Sequence, residues 1–179
     1  MIIETIKVGS LETNCYLVIN NNKCIIVDPG DDKDKIISKI DSLNLTPIAI
    51  FITHYHFDHI GALNDIKNKY NIKVYDYNDY EDDNKLYNID NFNFKIIETK
   101  GHKEDLVTFY FPNENIMFVG DFIFKGNIGR CDLDGGNFNK MIESIKKIKK
   151  YPKDTIIYPG HGESTTLNYE TKYNIYFNI

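Results

Sequence analysis

The sequence lacks tryptophan, has a single arginine and contains three cysteines among its 179 residues. Cys15, Cys24 and Cys131 are an odd number without the regular spacing of a disulfide framework, so we expect free thiols in a reducing cytoplasm. No apolar run approaches the ~20 residues that a membrane-spanning helix needs. The first residues carry an early acid, Glu4, and no long apolar stretch, which argues against a signal peptide. These absences favour a cytoplasmic protein that does not contact membranes.

Positive charge is scarce as well, with 21 basic against 26 acidic side chains and a net charge of −5. This balance argues against a nucleic-acid partner, because such partners are bound through a basic surface that displaces counterions. Hydrophobic residues at 42% and charged residues at 26% are ordinary for a folded protein. Since no repeat or linker-like stretch divides the chain, we expect one domain over residues 1–179. The sequence does not define its oligomeric state.

Apolar patterning predicts alternating strands and helices in two similar halves. In the first half, strands are expected over residues 2–8, 14–19, 23–27, 47–53 and 72–75, with helices over 33–43 and 59–70. In the second half, strands are expected over residues 94–98, 106–111, 116–119 and 155–158, with a helix over 138–148. Asp28-Pro29-Gly30 is expected to form a turn, and the acidic residues 76–93 a surface loop with a helical turn. The pattern predicts an α/β fold of two packed sheets with helices outside, a four-layer αββα sandwich.

The five histidines all lie just beyond a predicted strand or beside a turn glycine. They are His54, His56 and His59 in the string H-x-H-x-D-H, His102 after a glycine, and His161 in the string Pro-Gly-His-Gly. Loops at strand ends allow a rigid sheet to direct several side chains into one cleft. His54 and His56 are two residues apart and cannot share a helix face, which excludes the i,i+4 pair of a helical zinc protease. In an irregular loop they can converge on one ion.

Each of these histidines has a plainer interpretation, a hydrogen-bonded residue at the surface. Four potential ligands between His54 and His59, including Asp58, weaken that interpretation, because imidazoles and carboxylates packed so closely must be paired or metal-bound when buried. Asp121 ends a strand in the string Val-Gly-Asp, where a carboxylate either bridges two cations or belongs to an ordinary turn. The pattern predicts a metal site built from nitrogen and oxygen ligands.

The order H-x-H-x-D-H, Gly-His, Gly-Asp and Pro-Gly-His-Gly resembles the metallo-β-lactamase superfamily. The strings ETNCYL at Glu12–Leu17, GDFIF at Gly120–Phe124 and IGR at Ile128–Arg130 are similar to the glyoxalase II-like branch, in particular its short single-domain members. The resemblance covers residues 2–165. It implies the four-layer metallo-β-lactamase fold and two divalent cations. Zinc is expected first, and iron or manganese is compatible, because imidazole and carboxylate discriminate weakly between these ions.

The same resemblance assigns the ligands. It implies that the first ion is held by His54, His56 and His102, the second by Asp58, His59 and His161, and that Asp121 bridges them. None of the cysteines belongs to this set, and Cys15 and Cys24 are expected in the core. Arg130 takes the place of a basic residue that contacts an anionic substrate in this branch. A salt bridge within the loop is the alternative role for its guanidinium.

The resemblance implies a metal-dependent hydrolase similar to glyoxalase II, which cleaves a thioester or similar small ester by attack of a metal-bound hydroxide. Asp58 is expected to orient the attacking water while holding its ion. A thioester is favoured because its thiolate leaves readily, and no sixth histidine is present to act as a separate acid. Full-length glyoxalase II enzymes complete a glutathione pocket with an added helical domain, whereas 18 residues follow His161 here. The identity of the thiol therefore stays open.

Two other functions remain open. A persulfide dioxygenase resembles this branch but uses one iron held by two histidines and an aspartate, here His54, His102 and Asp121. A non-catalytic protein could retain the ligands as a structural clamp, although structural zinc sites are usually closed and four-coordinate. A β-lactamase is disfavoured because nothing beyond the shared ligands supports it, and a nuclease because the chain is acidic.

The sequence departs from the branch in two places. The usual Gly-His-Thr-x-Gly-Ser is replaced by GHKEDL at Gly101–Leu106, so the turn after His102 lacks its small residues. The segment between Tyr75 and Phe94 is shorter than usual, which predicts a more open cleft. The tyrosine-rich C-terminal segment is expected either to close the fold or to meet a partner.

Overall fold

The computed structural model describes residues 1–179, and the first half of the chain forms a five-stranded sheet. Its strands are β1 (Ile2–Val8), β2 (Thr13–Asn20), β3 (Lys23–Val27), β4 (Thr46–Phe51) and β5 (Lys73–Tyr75), paired in that order. β1, β2 and β3 are antiparallel neighbours, whereas β3, β4 and β5 run parallel. Parallel neighbours need crossover connections, and helices supply them here. These helices are α1 (Lys33–Ser42), α2 (Phe57–Ile60) and α3 (Leu63–Tyr70).

The second half forms a six-stranded sheet. In chain order its elements are β6 (Tyr87–Ile89), β7 (Phe92–Glu98), β8 (Val107–Phe111), β9 (Ile116–Gly120), a separate hairpin of β10 (Ile123–Phe124) and β11 (Asn127–Ile128), α4 (Phe138–Ile148), β12 (Ile156–Pro159), β13 (Thr165–Thr166) and α5 (Leu167–Tyr173). The sheet strands pair in the order β13-β12-β9-β8-β7-β6, and only β9 and β12 are parallel. Short 3₁₀ turns lie at Tyr77–Asp79 and Ile175–Asn178.

Three apolar layers hold these elements together. Between the two sheets, Phe51 of β4 stacks on Phe109 of β8 with ring centroids 4.2 Å apart. Ile36 and Ile66 pack α1 and α3 onto the outer face of the first sheet, and Met141 packs α4 onto the second. Each fully buried side chain of this size contributes about 1.5–3 kcal/mol. The layers are helix, sheet, sheet and helix, so the predicted αββα sandwich is confirmed.

The helix predicted over residues 59–70 is wrong in its extent, because the chain forms two helices that break at Gly61. A Cβ at Gly61 would lie 2.2 Å from the carbonyl oxygen of Gly30. The next residue, Ala62, donates its backbone N–H to the carbonyl of Pro29 instead of continuing the first helix. A tertiary contact between two loops therefore ends α2, and local periodicity does not reveal such a contact.

Residues 76–93 also contain more structure than predicted. The expected helical turn is present, but β6 and the start of β7 lie in the same stretch, and Phe92 is fully buried. The two-residue strands of the β10–β11 hairpin and β13 were not predicted either, since they are too short to show a period. Short elements of this kind form because neighbouring elements pair with them.

The C-terminal segment packs onto the second core. Leu167 and Phe177 are buried in the same apolar cluster as α4, while Tyr173 and Ile175 are exposed. The segment therefore closes the fold, which is the first of the two roles expected for it. No helix combines the length and the apolar composition needed to cross a bilayer.

The polar loops leave the sheets at the ends of five strands. Asp28 follows β3, His54 to His59 follow β4, His102 follows β7, Asp121 follows β9 and His161 follows β12. β3 and β4 are parallel neighbours, as are β9 and β12, so each pair presents its carboxyl ends at one edge. The two edges meet, since the backbone N–H of Asn14 donates to the carbonyl of Gly160 at 2.7 Å.

Candidate metal centre

His54, His56 and His102 form the first of two adjoining groups. Nδ1 of His56 lies 3.1 Å from Nε2 of His54 and 2.9 Å from Nε2 of His102. His54 and His102 are buried, while His56 is partly exposed. Nitrogen ligands at about 2.0–2.1 Å from a tetrahedral zinc ion lie about 3.3 Å from one another. The group therefore has nearly the spacing of three ligands to one ion.

Asp58, His59 and His161 form the second group, with one candidate ligand atom from each within 4.8 Å of the others. Nε2 of His161 lies 3.2 Å from Oδ2 of Asp58, and Nε2 of His59 lies 3.5 Å from the same oxygen. The His59 side chain is fully buried, whereas that of His161 is 28% exposed. This group offers two nitrogens and a carboxylate to a second ion beside the first.

Asp121 lies between the two groups. Its Oδ1 is 3.4 Å from Nε2 of His59, and its Oδ2 is 3.7 Å from Nε2 of His102 and 3.6 Å from Nε2 of His161. The two oxygens of one carboxylate thus face both groups, as a bridging ligand requires. All seven predicted ligands are brought together by the fold.

The ring nitrogens that point away from the centre are held by backbone acceptors. Nδ1 of His102 donates to the carbonyl of Arg130 at 2.8 Å, and Nδ1 of His161 donates to the carbonyl of Leu11 at 3.1 Å. Because a neutral imidazole carries one proton, these bonds leave the Nε2 lone pair directed at the centre. Hydrogen bonds of this kind, made by the ring nitrogen that does not face the metal, fix the orientation and tautomer of a metal-binding histidine.

Asp28 is the important residue that the sequence analysis missed. Its Oδ2 accepts from Nδ1 of His59 at 2.9 Å and from Oγ1 of Thr53 at 2.6 Å, and its Oδ1 accepts from the backbone of Thr53 at 2.8 Å. Oγ1 of Thr53 lies 3.1 Å from Nδ1 of His54, so one buried carboxylate orients a histidine of each group. A signal was present, because Asp28 directly follows a buried strand as Asp121 does, but the Pro-Gly after it favoured a turn.

Burial and charge shift the pKa values in the two groups in opposite directions. Burial lowers the pKa of His54 well below its usual value, and the neighbouring imidazoles lower it further. Burial acts in the same sense on His59, but the carboxylates of Asp28 and Asp121 outweigh it and raise the pKa of His59 to about 10. Burial alone would raise the pKa of Asp58, but contacts with two histidines and a threonine hold it below its usual range. A proton and a cation therefore compete for the ring of His59 in the second group.

The start of β2 locks the two halves of the chain together. Nδ2 of Asn14 and the hydroxyl of Tyr16 both donate to the carbonyl of Pro159, at 2.9 and 2.6 Å. At the first residue of the same strand, Oγ1 of Thr13 donates to Oδ2 of Asp58 at 2.9 Å. The Thr-Asn-Cys-Tyr string therefore positions a ligand loop from each half.

Gly160 allows the closest approach within the centre. A Cβ at this position would lie 2.2 Å from Oδ1 of Asp121 and 2.7 Å from Cε1 of His59. Any side chain here would displace candidate ligand atoms from both halves of the molecule. The first glycine of the Pro-Gly-His-Gly string is therefore required, because no side chain fits at this position.

The centre fits a pair of divalent cations. Nε2 of His59 and Oδ1 of Asp121 are buried and have no hydrogen-bond partner. A buried polar group left unsatisfied costs about 1–3 kcal/mol, and a cation between these atoms would satisfy both. The donors are imidazole nitrogens and carboxylate oxygens, which suits zinc, iron and manganese. We therefore expect the seven residues to hold two ions.

Arg130 contributes to the centre through its backbone. Its carbonyl orients His102, but its guanidinium is 61% exposed and forms a two-point pair with Asp132, with both nitrogen–oxygen distances 2.8 Å. This geometry corresponds to the predicted alternative of a salt bridge within the loop. A substrate anion that binds Arg130 would have to replace Asp132.

The turn after His102 forms without the small residues of the related proteins. The backbone N–H of Leu106 donates to the carbonyl of Lys103 at 3.4 Å, and the next N–H, of Val107, donates to the carbonyl of Thr53 at 2.9 Å. The second bond ties the turn to the strand end that carries His54. His102 consequently reaches the centre despite the departure in sequence.

A cavity of about 190 Å³ opens beside the second group. Its lining includes Thr13 and Asp58 from the centre and the apolar side chains of Leu11 and Phe57, which are 52% and 75% exposed. Drug-sized ligands occupy pockets of about 300–1,000 Å³, so this space is smaller than such ligands need.

The chain is similar in sequence and in fold to known proteins. The chain matches the model described as the metallo-beta-lactamase superfamily over residues 8–82 and 81–161. It is 33% identical over 96% of its length to YqgX of Bacillus subtilis, a probable metallo-hydrolase of which 95% is covered. It is 28% identical over 99% of its length to GloC of Haemophilus influenzae, a hydroxyacylglutathione hydrolase of which 99% is covered.

Two solved structures superpose closely on the chain. BLEG-1, described as a B3 metallo-beta-lactamase, aligns with a TM-score of 0.93 at 32% identity over 99% of this chain and 100% of its own. TTHA1623, solved in a di-iron-bound form, aligns with a TM-score of 0.86 at 29% identity over 96% of this chain and 98% of its own. The chain therefore belongs to the metallo-β-lactamase superfamily. Within it, the chain is a metallo-hydrolase with glyoxalase II-like relatives, as the sequence motifs indicated.

Proposed function

We propose that this chain hydrolyses thioesters of small thiols. We also propose that its centre holds two divalent cations, for which zinc is the first candidate. The position of Asp121 carries the proposal, because its carboxylate lies 3.7 Å from His102 of the first group and 3.4 and 3.6 Å from His59 and His161 of the second. The partly exposed His56 and His161 leave the centre open to solvent. Structural zinc sites are closed, whereas catalytic sites keep a position for water or substrate.

The ligand groups divide between the two ions. His54, His56 and His102 would hold the first ion, Asp58, His59 and His161 the second, and Asp121 both. When bound, the ions would lower the pKa of water toward neutrality and polarise the substrate carbonyl. Asp28 and the carbonyls of Leu11 and Arg130 keep the imidazole lone pairs directed inward.

Asp58 would orient the attacking water. Thr13 donates to its Oδ2 at 2.9 Å and His161 lies 3.2 Å from the same oxygen, so the direction of the carboxylate is fixed. These contacts outweigh burial and keep the pKa of Asp58 low, which makes it a weak base. Its role is therefore to hold the water for attack rather than to remove its proton.

The centre has no free imidazole to protonate a leaving group, because all five histidines belong to the two ligand groups. A thiolate leaves without prior protonation, since a thiol has a pKa of about 8.5, whereas an alkoxide needs a proton as it departs. This difference favours a thioester over an oxygen ester as the substrate.

The two ends of the substrate have candidate contacts. The cavity beside Asp58 carries the apolar side chains of Leu11 and Phe57, which would contact an acyl or thiol chain. Arg130 would contact an anionic group by exchanging Asp132 for it, since a guanidinium binds a carboxylate at two points. The relative named as a hydroxyacylglutathione hydrolase supports S-lactoylglutathione as one candidate among small thioesters.

The test is a comparison of zinc-reconstituted protein on a panel of thioesters, matched oxygen esters and a chromogenic cephalosporin. We expect the thioesters to be cleaved fastest and metal-stripped protein to be inactive. Asp58→Asn should lose most of the rate, whereas Asp65→Asn, at an exposed acid on α3, should retain it. Absence of thioester turnover with both ions bound would contradict the proposal. Preference for the cephalosporin would instead assign the activity named for BLEG-1.

A persulfide dioxygenase with one iron on His54, His102 and Asp121 is the second candidate, because Oδ2 of Asp121 lies 3.7 Å from Nε2 of His102. That function would leave the second group without a role, although its candidate ligand atoms also lie within 4.8 Å of one another. One iron per chain and oxygen uptake on a persulfide would favour the dioxygenase. A non-catalytic metal protein would bind ions and turn over neither substrate.

We also infer a cytoplasmic location from the thiols. All three cysteines are free, and Cys15 and Cys24 are fully buried. Burial raises the pKa of Cys24 to about 12, so its thiol stays protonated and unreactive. Free thiols persist in reducing compartments. Fractionation of source cells should recover the protein with cytoplasmic markers, and recovery outside the inner membrane would contradict the inference.

A further inference from the structure

Helix α5 carries a buried carboxylate that the proposed hydrolysis does not use. Glu170 is fully buried, and its oxygens accept hydrogen bonds from Oγ1 of Thr165 at 2.6 Å and Nδ2 of Asn174 at 2.8 Å. They also accept from the backbone N–H of Gly126, at 3.0 and 3.2 Å. These donors are all neutral. A charge buried among neutral donors is costly to retain, so an apolar residue would serve better if α5 only needed to pack.

Glu170 holds the tip of the β10–β11 hairpin. We call residues 121–130, which contain this hairpin, the strap. Gly126 at the tip has a φ of +76°, which favours glycine. The carbonyl of the next residue, Asn127, accepts from Nδ2 of Asn174 at 2.9 Å, and Asn174 is fully buried as well. Glu170 in α5 and Asn174 directly after it therefore hydrogen-bond to two consecutive residues of the strap.

The strap begins and ends in the metal centre. Asp121 is its first residue, and Arg130, whose carbonyl orients His102, is its last. The backbone N–H of Gly129 donates to the carbonyl of Phe122 at 3.1 Å, which closes the neck of the hairpin. A Cβ at Gly129 would lie 1.8 Å from the carbonyl oxygen of Asp121, so the neck has no free space. Because the neck is closed, we expect a displacement of the tip to be transmitted to both ends of the strap.

The strap also contacts the loop of a third ligand. The ring of Phe124 lies edge-on to that of His161, with centroids 6.2 Å apart. Nζ of the next residue, Lys125, pairs with Oε2 of Glu163 at 2.7 Å. Ligands from β7, β9 and β12 are thus all supported by one segment.

We propose that Glu170 is a positioning residue of the metal centre. Its carboxylate holds the strap against α5, and the strap in turn sets Asp121, His102 and His161. The proposal rests on the proposed function in that it assumes an ion-binding centre, but ion affinity and amide exchange report the position of the strap without any substrate turnover. Glu170→Gln keeps the volume but replaces an acceptor oxygen with an amide donor that faces other donors, and this releases the strap.

The matched control for E170Q is Thr166→Ala. Oγ1 of Thr166 accepts from the backbone N–H of Tyr169 at 3.2 Å and caps the same helix without touching the strap. Both variants weaken α5, but E170Q alone releases Gly126. The measurements are affinity for Zn²⁺ by competition with a chromophoric chelator, hydrogen exchange of the strap amides, and the thermal midpoint.

We expect E170Q to weaken Zn²⁺ binding by about tenfold, the lower end of the effects measured for residues behind a metal ligand. It should also speed amide exchange at the tip of the strap, whereas T166A should change the thermal midpoint alone. Equal Zn²⁺ affinity in the two variants, with strap exchange at the wild-type rate, would assign Glu170 to stability and overturn the proposal.

A second variant decides the matter if E170Q does not fold. Asn174→Ala removes the bond to the carbonyl of Asn127 and should weaken Zn²⁺ binding in the same direction. Wild-type affinity in N174A would overturn the proposal in that case. If the wild-type protein cleaves no thioester, the proposed function fails, while Zn²⁺ affinity and amide exchange still decide the role of Glu170.

Discussion

Asp28 and His59 form a buried pair beneath the metal centre, with Oδ2 and Nδ1 2.9 Å apart and side chains 2% and 0% exposed. The same carboxylate accepts from Thr53, which in turn contacts Nδ1 of His54. One residue outside the ligand set therefore orients an imidazole in each group. This arrangement makes the two groups depend on each other, because a change at Asp28 reaches both.

We expect Asp28→Asn to weaken the binding of divalent ions by about 10–100-fold. Asparagine offers one acceptor oxygen for the three donors that Asp28 serves, and it removes the charge that makes His59 a better ligand. Competition with a chromophoric chelator measures the change. Asp34→Asn, at an exposed acid in the first turn of α1, is the control and should bind ions as the wild type does. Wild-type affinity for divalent ions in D28N would show that the hydrogen bonds of Asp28 do not affect ion binding.

A second prediction concerns Gly160 and Gly162 on either side of His161. Gly160→Ala places a Cβ 2.2 Å from Oδ1 of Asp121, so we expect weaker ion binding. Activity should fall by about 100-fold, as it does when a reacting group is misplaced by about 1 Å. Gly162→Ala meets open space but has a φ of +78°, so it should cost about 1–3 kcal/mol of stability and retain ion binding. Denaturant unfolding and ion titration of both variants measure the contrast. Equal losses of ion binding would contradict it.

The pair of Arg130 and Asp132 gives opposite predictions for substrate affinity. If the guanidinium binds an anionic thioester by exchanging partners, Arg130→Ala should raise KM about three- to tenfold with little change in kcat. Asp132→Ala frees the guanidinium and should lower KM for the same substrate. Steady-state kinetics on an anionic and a neutral thioester provide the measurement, with the neutral substrate as control. KM values that do not move in either variant would leave Arg130 with its backbone role alone.

Metal affinity should rise with pH. In the metal-free protein the carboxylates around His59 raise its pKa to about 10, and the hydrogen bond to Asp58 raises the pKa of His161 above its usual value. Such raised values stabilise the metal-free fold fully below the unfolded pKa of about 6.5, and this contribution is lost as the pH rises toward 10. Binding of an ion must remove these protons.

Each displaced proton should raise the affinity about tenfold per pH unit between pH 6 and 8. Isothermal titration at pH 7 in two buffers of different ionisation enthalpy counts the protons, and we expect at least one per chain. A titration heat that is independent of the buffer would contradict the protonated state of His59.

Much of the centre could be predicted because its signals are local. Apolar runs of strand length predicted β4 and β9, and polar residues directly after them placed His54 and Asp121 at strand ends. The resemblance then connected segments that are far apart in sequence. Asp28 was missed although it follows the same rule, because its burial depends on the way in which the loops after β3 and β4 pack.

Glu170 shows the other limit of sequence analysis. It lies in a polar helical stretch that looks solvent-exposed, and its burial depends on Gly126, 44 residues earlier in the chain. The hairpin that presents Gly126 has two-residue strands and shows no period. The burial of Glu170 therefore depends on long-range contacts between short elements, which the apolar pattern of the sequence does not reveal.

The metal content of protein purified without chelator tests the central claim most directly. Elemental analysis, normalised to protein by amino-acid analysis, should find two ions per chain in the wild type and a reduced content in His161→Ala, whose remaining ligands would still hold the first ion. A single ion per chain in the wild type, unchanged when His161 is replaced, would contradict the two-ion centre.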